Sequence, residues 1–475
     1  MLRRTRIVAT LGPATDRPGV LEKMLQAGLD VARINFSHGT AEEHLGRIVR
    51  FREMAKLAGR TVAVLGDLPG PKLRAQLKEV LTLTAGQQIT IALQANVSGD
   101  LQLTEPELMS KAKAGHRVLL DDGRLQARVT LCAREQITIK IEVGGTLLPN
   151  KGINLPDTEL SIPAVTRRDR EAIAVAAAAG VDWLALSFVR DASAAHELRA
   201  VARVHNLEVP ILAKMERPEA VRKAAEIIEA FDGIMVARGD LGVEIALEKV
   251  PHVQKKLISQ ARIASKPVVT ATDMLDSMRH NPRPTRAEAS DVANAVFDGT
   301  DAVMLSGETA VGDYPFEALL CMDQILREAE SHLAEDGSRL VLVPKGELND
   351  HVTHLTCTLA QDTEAAAIIA PTHTGRTARL VARHRPQSAI VAVASQEEVL
   401  RQLGLVWGVR AVPPAAQIQR GDDRLEAAVR AAFAAGAVQA GERVVVLAGH
   451  PVEGGEGFPT IRVVRVGEEG KSCEP

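Results

Sequence analysis

The sequence has few aromatic residues and almost no net charge, and both shortages exclude classes of function. Phe, Trp and Tyr make up 2% of the 475 residues, and the formal net charge is -3. So few rings leave little for stacking nucleic-acid bases or for an aromatic belt at a membrane surface. A nearly neutral chain also lacks the basic field that attracts nucleic acid or anionic lipid. We therefore expect small-molecule partners, with no nucleic acid and no membrane.

Long apolar runs and closely spaced cysteines are also missing. No apolar run approaches the roughly 20 residues that cross a bilayer. The four cysteines lie far apart, without the spacing of a zinc pair, at Cys132, Cys321, Cys357 and Cys473. This pattern predicts reduced thiols and a cytoplasmic protein. With 46% hydrophobic and 25% charged residues, the chain has the composition of a globular protein, long enough for roughly two to four domains.

Eight apolar segments of strand length recur along the first two thirds of the chain, and most precede an amphipathic helix. They span residues 6–11, 30–35, 61–66, 182–187, 209–214, 233–237, 267–272 and 301–306. Buried parallel strands read as continuous apolar runs, and alternation with helices indicates βαβ units. Eight such units predict an α/β fold of the (β/α)8 TIM-barrel type. A doubly wound open sheet is the alternative.

The third of these units is interrupted, and a new pattern begins near residue 345. Residues 72–157 contain short strand-like segments with period-two alternation and Gly-rich turns, which predict an inserted small β-barrel lid domain. The catalytic barrel then comprises residues 1–71 and 158–344. Alternating helices and strands over residues 345–475 predict a C-terminal α/β regulatory domain.

Polar side chains gather where the predicted barrel strands end. Barrel enzymes place their catalytic groups at these carboxyl ends. The residues concerned are Arg33, Asn35, Ser37, Asp67, Ser187, Lys214, Glu216, Arg238, Asp240, Thr272, Ser306 and Glu308. A single such carboxylate is usually a helix cap or a surface charge. Their recurrence on seven strands indicates an active site.

Three of these residues indicate metal-assisted chemistry on an anion. Lys214 and Glu216 lie two residues apart, so an extended chain points both to one side, although a simple ion pair is the alternative. Asp240 closes the next strand. Two carboxylates suit Mg²⁺ or Mn²⁺, which keep water and substrate oxygens as further ligands. The chain has no P-loop motif and no G-x-G-x-x-G after a strand, so another phosphate-binding arrangement is expected.

Long runs in this chain resemble the pyruvate kinase family from about residue 3 to 465. The motifs are RRTRIVATLGPAT, VARINFSHG, GDLPGPKLR, KGINLP, ILAKMERPEAV, DGIMVARGDLGVE and NPRPTRAEASDVANAVFDGTDAVMLSGETAVGDYP. The resemblance implies Mg²⁺-dependent phosphoryl transfer from phosphoenolpyruvate to ADP, giving pyruvate and ATP in the last step of glycolysis. A metal-dependent pyruvate aldolase or lyase on a similar barrel is the alternative. It would share Glu216 and Asp240 but gives no reason for Lys151 or Arg74.

The resemblance also implies roles for residues at the barrel mouth. Lys214 would stabilise the phosphoryl group in transfer, and Glu216 with Asp240 would hold the divalent metal. Thr272 would assist protonation of the enolate, and Arg33 would contact phosphate. The implied substrate-binding set is Arg33, Lys214, Gly239, Asp240 and Thr272. The implied nucleotide-binding set is Asn35, His38, Arg74 and Lys151, the last brought in by the lid.

Two departures from the family pattern concern charge near the site. Many members bind K⁺ through residues that match Asn35, Ser37, Asp67 and the backbone of Leu68. Those members usually carry Glu where this chain has Lys72, whose ammonium can replace the monovalent cation, so we expect no K⁺ requirement. Asp273 stands where Gln is common, and its role stays open.

The C-terminal domain contains a candidate effector site between a predicted strand and helix. Its residues are Thr372, Thr374, Gly375, Arg376 and Thr377. Hydroxyl and N–H groups at a helix start favour phosphate, although simple helix capping is the alternative. The family uses this position for sugar-phosphate or nucleotide effectors, so a phosphorylated effector is implied. The resemblance also implies a homotetramer.

Overall fold

The fold is taken from a computed structural model. It describes residues 3–71, 73–93, 97, 99–104, 106–158, 163–335, 342, 347–414, 424–448, 451–452, 455–456 and 459–473. Lys72 lies outside the described residues, so the expectation for its ammonium stays a prediction.

The first three barrel strands alternate with two helices. The elements are β1 (Arg6–Thr10), α1 (Val20–Gln26), β2 (Val31–Asn35), α2 (Ala41–Leu57) and β3 (Ala63–Asp67). Helix α2 begins where the sequence places a capping box, because Thr40 accepts from the backbone N–H of Glu43 and the Glu43 side chain accepts in return. The strands are almost fully buried, as continuous apolar runs predict.

The chain then leaves the barrel and forms the inserted β domain, which we call the lid. The strands among its described residues are β4 (Leu73–Gln76), β5 (Leu81–Leu83), β6 (Gln88–Ala92), β7 (Gln102–Leu103), β8 (Arg117–Leu120), β9 (Leu125–Cys132), β10 (Gln136–Val143), β11 (Gly145–Leu147) and β12 (Gly152–Asn154). Seven form a barrel-like, mainly antiparallel sheet in the order β6-β10-β9-β8-β12-β4-β7, and β5 pairs with β11. Alternating Ile, Val and Leu side chains give this domain its own core.

After the lid the barrel resumes with five more strands. The elements are α3 (Arg167–Ala179), β13 (Trp183–Leu186), α4 (Ser193–Val204), β14 (Ile211–Lys214), α5 (Pro218–Arg222), α6 (Ala224–Ala230), β15 (Gly233–Ala237), α7 (Arg238–Glu244), α8 (Val250–Ile263), β16 (Val268–Ala271), α9 (Arg286–Asp298), β17 (Ala302–Leu305), α10 (Gly307–Ala310) and α11 (Pro315–Glu335). The eight parallel strands close in the order β1-β17-β16-β15-β14-β13-β3-β2. This closure confirms the predicted TIM barrel and rules out the open sheet.

One barrel helix differs from its sequence pattern. Residues 217–230 have the pattern of a single amphipathic helix, but α5 and α6 are separate because Lys223 leaves helical geometry, with φ -98° and ψ 22°. Several observed strands begin one or two residues later than predicted, because the apolar pattern also includes residues that lead into the strand.

The C-terminal part forms the predicted α/β domain. Its elements are α12 (Leu348–Asp362), β18 (Ala367–Pro371), α13 (Arg376–Ala382), β19 (Ala389–Val393), α14 (Glu397–Gln402), β20 (Val409–Val412), α15 (Arg424–Ala434), β21 (Arg443–Ala448), β22 (Pro451–Val452), β23 (Gly455–Glu456), β24 (Thr460–Val466) and β25 (Ser472–Cys473). The main sheet has the order β20-β19-β18-β21-β24-β25. The exact domain boundaries given above stay predictions.

The C-terminal domain closes the amino-terminal end of the barrel, which we call the base. A short 3-10 turn, Leu403–Leu405, inserts Leu405 into the core among Val8, Trp183 and other strand side chains. The Trp183 indole donates to the Gln402 carbonyl at 3.1 Å. The opposite, carboxyl end, which we call the mouth, therefore holds the open cavity. None of the helices in the described part of the chain combines the length and apolar character that crossing a membrane requires.

Candidate active site

A cavity of about 340 Å³ opens at the mouth of the barrel. Its polar lining brings together predicted residues from six of the eight strands: Arg33, Asn35, His38, Asp67, Lys214, Asp240, Thr272 and Ser306. They meet because parallel strands deliver their carboxyl ends to one face. Thr10, at the end of β1, also lines the cavity and was missed. Its polar side chain near the end of the apolar segment 6–11 was the available signal.

Three side-chain oxygens fix the ammonium of Lys214 in this cavity. Its ammonium lies 2.9 Å from Glu216 Oε1 and 3.2 Å from Asp67 Oδ1, and it donates to Ser187 Oγ at 2.7 Å. The Ser187 hydroxyl in turn donates to the Leu68 carbonyl at 2.7 Å. The side chain is 11% exposed, so its position is fixed while its charge still faces the cavity.

Burial and neighbouring charge shift the pKa values of this cluster. Burial opposes the charge of Lys214, but Asp67, Glu216 and Asp240 outweigh it and raise its pKa, so the ammonium stays charged. Burial would raise the pKa of Asp67, but Lys214 and Arg33 hold it below its usual range. For Glu216, burial together with the nearby charge of Asp240 keeps the pKa raised despite Lys214.

This donor set fits a divalent metal with an incomplete protein shell. The charge of Asp240 opposes ionisation of the buried Glu216, and a cation between them would relieve that repulsion. Among the described residues, no group of three or more His, Cys, Asp or Glu side chains is arranged to hold a metal ion. Two carboxylates suit Mg²⁺ or Mn²⁺, because these ions retain water and substrate oxygens.

Arg33 is held against the same aspartate. Its Nε donates to Asp67 Oδ2 at 2.7 Å, and its Nη1 donates to Thr10 Oγ1 at 2.9 Å. The Thr10 hydroxyl donates onward to the Leu305 carbonyl at 2.9 Å. Asp67 therefore orients two cations from different strands, Arg33 and Lys214, toward one cavity.

Thr272 occupies a strained backbone position after β16. Its φ is 71° and that of Asp273 is 53°, in the left-handed region that L residues rarely adopt. The backbone N–H of Gly239 donates to Thr272 Oγ1 at 3.1 Å, and Arg238 donates to the Thr272 carbonyl at 2.7 Å. A Cβ on Gly239 would lie 3.0 Å from Thr272 Cγ2, so a larger residue there would crowd the Thr272 side chain.

Ser306 and Glu308 complete the mouth beside Thr272. Glu308 is fully buried and accepts from the backbone N–H groups of Ser306 at 2.7 Å and Leu275 at 3.1 Å. It therefore fixes the loops after β16 and β17. The Ser306 hydroxyl is buried without a hydrogen-bond partner among the described residues and lines the cavity.

The lid residues of the predicted nucleotide set lie outside the cavity lining. Lys151 pairs with Asp121 at 2.8 Å, and Arg74 donates to the Asn150 carbonyl at 3.0 Å. Burial and Arg168 lower the pKa of Arg74, with Asp122 and Asp240 acting in the opposite direction.

Sequence reasoning missed the contact that joins the lid to the barrel. The buried Glu244 accepts from Asn154 of the lid at 2.8 Å and from Arg217 at 3.0 Å. Asn154 lies in the motif KGINLP and Glu244 in DGIMVARGDLGVE. Neither motif contains a sequence pattern that would predict a contact with the other.

The expected monovalent-cation residues lie together after β2 and β3. Asn35 Oδ1 accepts from the Ser37 backbone N–H at 3.1 Å, and the Leu68 carbonyl accepts from Ser187. Asp67 already contacts Arg33 and Lys214. Asp273 is partly buried, and burial together with the charge of Asp276 raises its pKa.

The expected effector residues form the turn between β18 and α13. Gly375 has φ 76° and caps the seven-residue α13 without a side-chain bond, while Thr374 supplies its carbonyl to Arg379 at 3.2 Å. The backbone N–H of Thr372 donates to the Val393 carbonyl at 2.9 Å.

Comparison with known proteins agrees with this architecture. A family model described as "Pyruvate kinase, barrel domain" matches residues 2–319, and "Pyruvate kinase, alpha/beta domain" matches residues 350–464. Pyruvate kinase of Geobacillus stearothermophilus is 44% identical over 462 residues, covering 95% of this chain and 78% of that protein. Pyruvate kinase of Sporosarcina psychrophila is 42% identical over 464 residues, covering 95% and 78%.

A third relative, the pyruvate kinase of Bacillus licheniformis, is 41% identical over 466 residues, which is 96% of this chain and 79% of that protein. These matches extend over the barrel and the C-terminal domain, and the rival aldolase or lyase is not favoured by any of them. The closed barrel, the polar mouth and these matches together show that the chain belongs to the pyruvate kinase family of phosphotransferases.

Proposed function

We propose that Lys214 is the cation that stabilises the phosphoryl group as it passes from phosphoenolpyruvate to ADP, in the last step of glycolysis. The observation that supports this role is the fixed ammonium of Lys214, held by oxygens at 2.7–3.2 Å and directed at the cavity. A preorganised charge costs no reorganisation when negative charge is shared between donor and acceptor. Arg33, fixed by Asp67, adds a second cation for the phosphate oxygens.

The family implies dependence on a divalent metal, and we propose Glu216 and Asp240 as its protein ligands. When bound, Mg²⁺ or Mn²⁺ supplies Lewis-acid stabilisation of the enolate oxygen. The raised pKa of Glu216 supports this assignment, since burial and Asp240 leave its charge in need of a cation.

Substrate carboxylate and proton handling are assigned to the loops after β15 and β16. Asp240 and Thr272 line the cavity, and the backbone N–H of Gly239, which is not part of the lining, donates to Thr272 Oγ1. The Thr272 oxygen accepts from Gly239, which leaves its hydroxyl proton available for a donor role toward the enolate. The Ser306 hydroxyl, which has no hydrogen-bond partner in the described part of the chain, supports an auxiliary role on the same side.

Nucleotide binding is assigned to Asn35 and His38 at the mouth and to Arg74 and Lys151 from the lid. We propose that lid closure brings the two lid cations to the phosphates of ADP. In the structure Lys151 pairs with Asp121 of the same domain at 2.8 Å, and closure would have to release it from this contact. Closure would exclude water from the reacting groups.

The direct test is a steady-state assay with phosphoenolpyruvate, ADP and Mg²⁺, using Lys214→Met beside the unmodified protein. Methionine retains much of the side-chain length but removes the charge. We expect phosphoryl transfer to fall by at least about 10²–10³-fold, with enolate protonation less affected. Unchanged phosphoryl transfer in Lys214→Met would refute the assignment.

We also propose that K⁺ is not required. In the described residues Arg33 and Lys214 already lie against Asp67, and the sequence adds Lys72. A further cation a few ångströms from these charges would cost on the order of 1–4 kcal/mol. A K⁺ titration at constant ionic strength, with tetramethylammonium as the replacement, should show full activity without K⁺. Lys72→Glu should create a requirement, whereas strong K⁺ activation of the unmodified enzyme would contradict the proposal.

The remaining assignments concern regulation, assembly and location. We propose that a phosphorylated effector binds the turn at residues 372–377 and that the chain forms a homotetramer, both by analogy with the family. The four cysteines are free thiols, which supports a reducing cytoplasmic location. Sedimentation velocity should give a tetramer mass, and a monomer or dimer at micromolar protein would exclude it.

A further inference from the structure

Two contacts join the lid to one short helix of the barrel, α7 (Arg238–Glu244). At the end of β12, Asn154 donates from Nδ2 to Glu244 Oε1 at 2.8 Å. In the turn between β8 and β9, a Cβ on Gly123 would lie 3.7 Å from Val243 Cγ1, a distance of ordinary van der Waals contact. Both contacts fall on the last two residues of α7, so the lid rests on the carboxyl end of this helix.

The amino end of the same helix belongs to the active site. The Gly239 N–H donates to Thr272 Oγ1 at 3.1 Å, and Asp240 lines the active-site cavity. Asp240 and Glu244 are four residues apart, so they lie on one face of α7, one helical turn from each other. Burial raises the pKa of Glu244, and the negative charges of Glu219 and Asp240 add to this effect. Helix α7 therefore links the lid to the cavity over a single helical turn.

Glu244 also binds the segment through which the chain returns from the lid to the barrel. Its Oε1 accepts from Arg217 Nη1 at 3.0 Å, and Arg217 Nη2 donates to the Thr158 carbonyl at 3.4 Å. Arg217 also lies 3.4 Å from Glu219. The side chain of Glu244 is fully buried and that of Arg217 is 3% exposed. One buried carboxylate therefore fixes β12 directly and the returning segment through Arg217.

This junction leaves several polar atoms unsatisfied. Four of them are buried without a hydrogen-bond partner among the described residues, namely Asn154 Oδ1, Arg217 Nε, Glu219 Oε2 and Glu244 Oε2. Buried polar atoms are normally paired, and leaving them unpaired lowers stability. Four such atoms in one cluster indicate that the junction is not optimised for a single position of the lid.

We propose that Glu244 is a positioning residue that holds the lid on α7 and so places the lid cations relative to the bound nucleotide. This inference rests on the nucleotide role proposed above for Arg74 and Lys151. Lys151 lies three residues before Asn154, so displacing Asn154 from Glu244 also displaces Lys151. Phosphoenolpyruvate is assigned to barrel residues instead. Loss of the contact should therefore weaken the use of ADP far more than the use of phosphoenolpyruvate.

The first test alters the charge of this pair in steady-state assays of the full-length enzyme. Asn154→Asp places a second carboxylate against Glu244, and the repulsion should raise the KM for ADP at least about tenfold. The KM for phosphoenolpyruvate should stay within about twofold. An unchanged KM for ADP, or an equal rise in both KM values, would overturn the proposal.

The second test exchanges the two groups. Adding Glu244→Gln to Asn154→Asp restores one amide and one carboxylate with the original total charge. The KM for ADP should return to within about threefold of the unmodified value, because the pair can bond again. Failure of this double variant to recover would show that the pair does not position the lid.

Hydrogen exchange follows the same contact without any substrate. In Asn154→Asp the backbone N–H groups of residues 239–244 should exchange at least about tenfold faster, since α7 loses its contact with the lid. Asn154→Leu has a similar size but no donor, and it should give a smaller change in the same direction. Unchanged exchange in both variants would refute the link between lid and helix.

Two further variants separate this proposal from the assignment of the lid cations. Gln88→Glu is the matched control, an amide-to-carboxylate change at an exposed position of β6, and it should leave both KM values unaltered. Lys151→Met should raise the KM for ADP. If Lys151→Met has no effect, the nucleotide assignment is wrong and the exchange experiment alone decides the role of Glu244. If Lys151→Met raises the KM for ADP and Asn154→Asp does not, the nucleotide assignment holds and the role of Glu244 is refuted.

Discussion

Asp182 at the base of the barrel and Glu216 at its mouth are both buried carboxylates, but their surroundings differ. Asp182 lies 2.6 Å from Arg52 and 2.7 Å from Arg401, and it accepts from the Val64 N–H at 2.7 Å. Glu216 has one cation, Lys214, and the charge of Asp240 opposes its ionisation. The base uses buried charge to join domains, whereas the mouth keeps a repulsion between Glu216 and Asp240 that a bound cation would relieve.

Backbone geometry adds to this contrast. At the mouth, Phe188, Thr272 and Asp273 all have φ between 53° and 71° directly after barrel strands. Each such residue costs of the order of 1–3 kcal/mol and persists only where the surroundings enforce it. In this backbone geometry the Phe188 N–H donates to Glu216 Oε2, and Thr272 Oγ1 accepts from the Gly239 N–H. The strained residues of the mouth therefore lower the stability of the fold while fixing groups beside the cavity. The paired charges of the base stabilise the fold.

The largest expected effect comes from Glu216→Gln. The substitution removes the opposed carboxylate but retains a side chain of the same shape. We expect activity with Mg²⁺ to fall by about 10²–10³-fold, because a metal ligand and its charge are lost. The free energy of unfolding should stay unchanged or rise slightly, since burial of that charge was unfavourable. Rate measurements and urea unfolding on the same sample check both parts.

A fall in stability of more than about 2 kcal/mol would contradict the view that Glu216 is destabilising in the folded chain. Asp191→Asn is a suitable control, since this carboxylate is partly exposed and does not line the cavity. It should leave both activity and stability close to those of the unmodified enzyme.

At the base, Asp182→Asn should show the reverse pattern. It leaves Arg52 and Arg401 without their shared carboxylate, and we expect a loss of about 3 kcal/mol in unfolding free energy. The turnover of protein that remains folded should stay within twofold. Glu397→Gln is the matched control, because Glu397 pairs with the same Arg401 but is 79% exposed. It should cost less than about 1 kcal/mol, and an equal cost for both variants would show that burial is not the cause.

A smaller effect concerns pH and one buried histidine, His384, of the C-terminal domain. Burial, with Arg383 and His354, lowers the pKa of His384 to about 3. The unfolded chain binds a proton there near pH 6.5, whereas the folded chain does not until about pH 3. Acid therefore favours unfolding, by up to about 1.4 kcal/mol per pH unit below pH 6.5.

His384→Gln should reduce this loss between pH 6.5 and 5, as measured by urea unfolding at several pH values. His351→Gln on the exposed face of α12 is the control and should leave the acid sensitivity as it was. If both variants follow the pH dependence of the unmodified protein, His384 does not contribute to it.

Much of this arrangement follows from local sequence. Apolar runs and helix periodicity predicted eight strands, and parallel strands in a barrel must end on one face. That rule alone predicted that Arg33, Asp67, Lys214, Asp240 and Thr272 would meet, and they all line one cavity. Helix starts such as the capping box of Thr40 and Glu43 can also be predicted, because its two residues lie three positions apart.

Contacts between distant segments were decided only by the tertiary structure. The sequence does not show that Asp67 lies between Arg33 and Lys214, or that Asn154 of the lid reaches Glu244 of the barrel. Nor does it show that α13 faces the start of β16 across a charged cleft. Spacing along the chain encodes which face a residue shares with its neighbours. The partner that it contacts there depends on closure of the barrel and docking of the domains, which bring residues as far apart in sequence as Asp67 and Lys214 into contact.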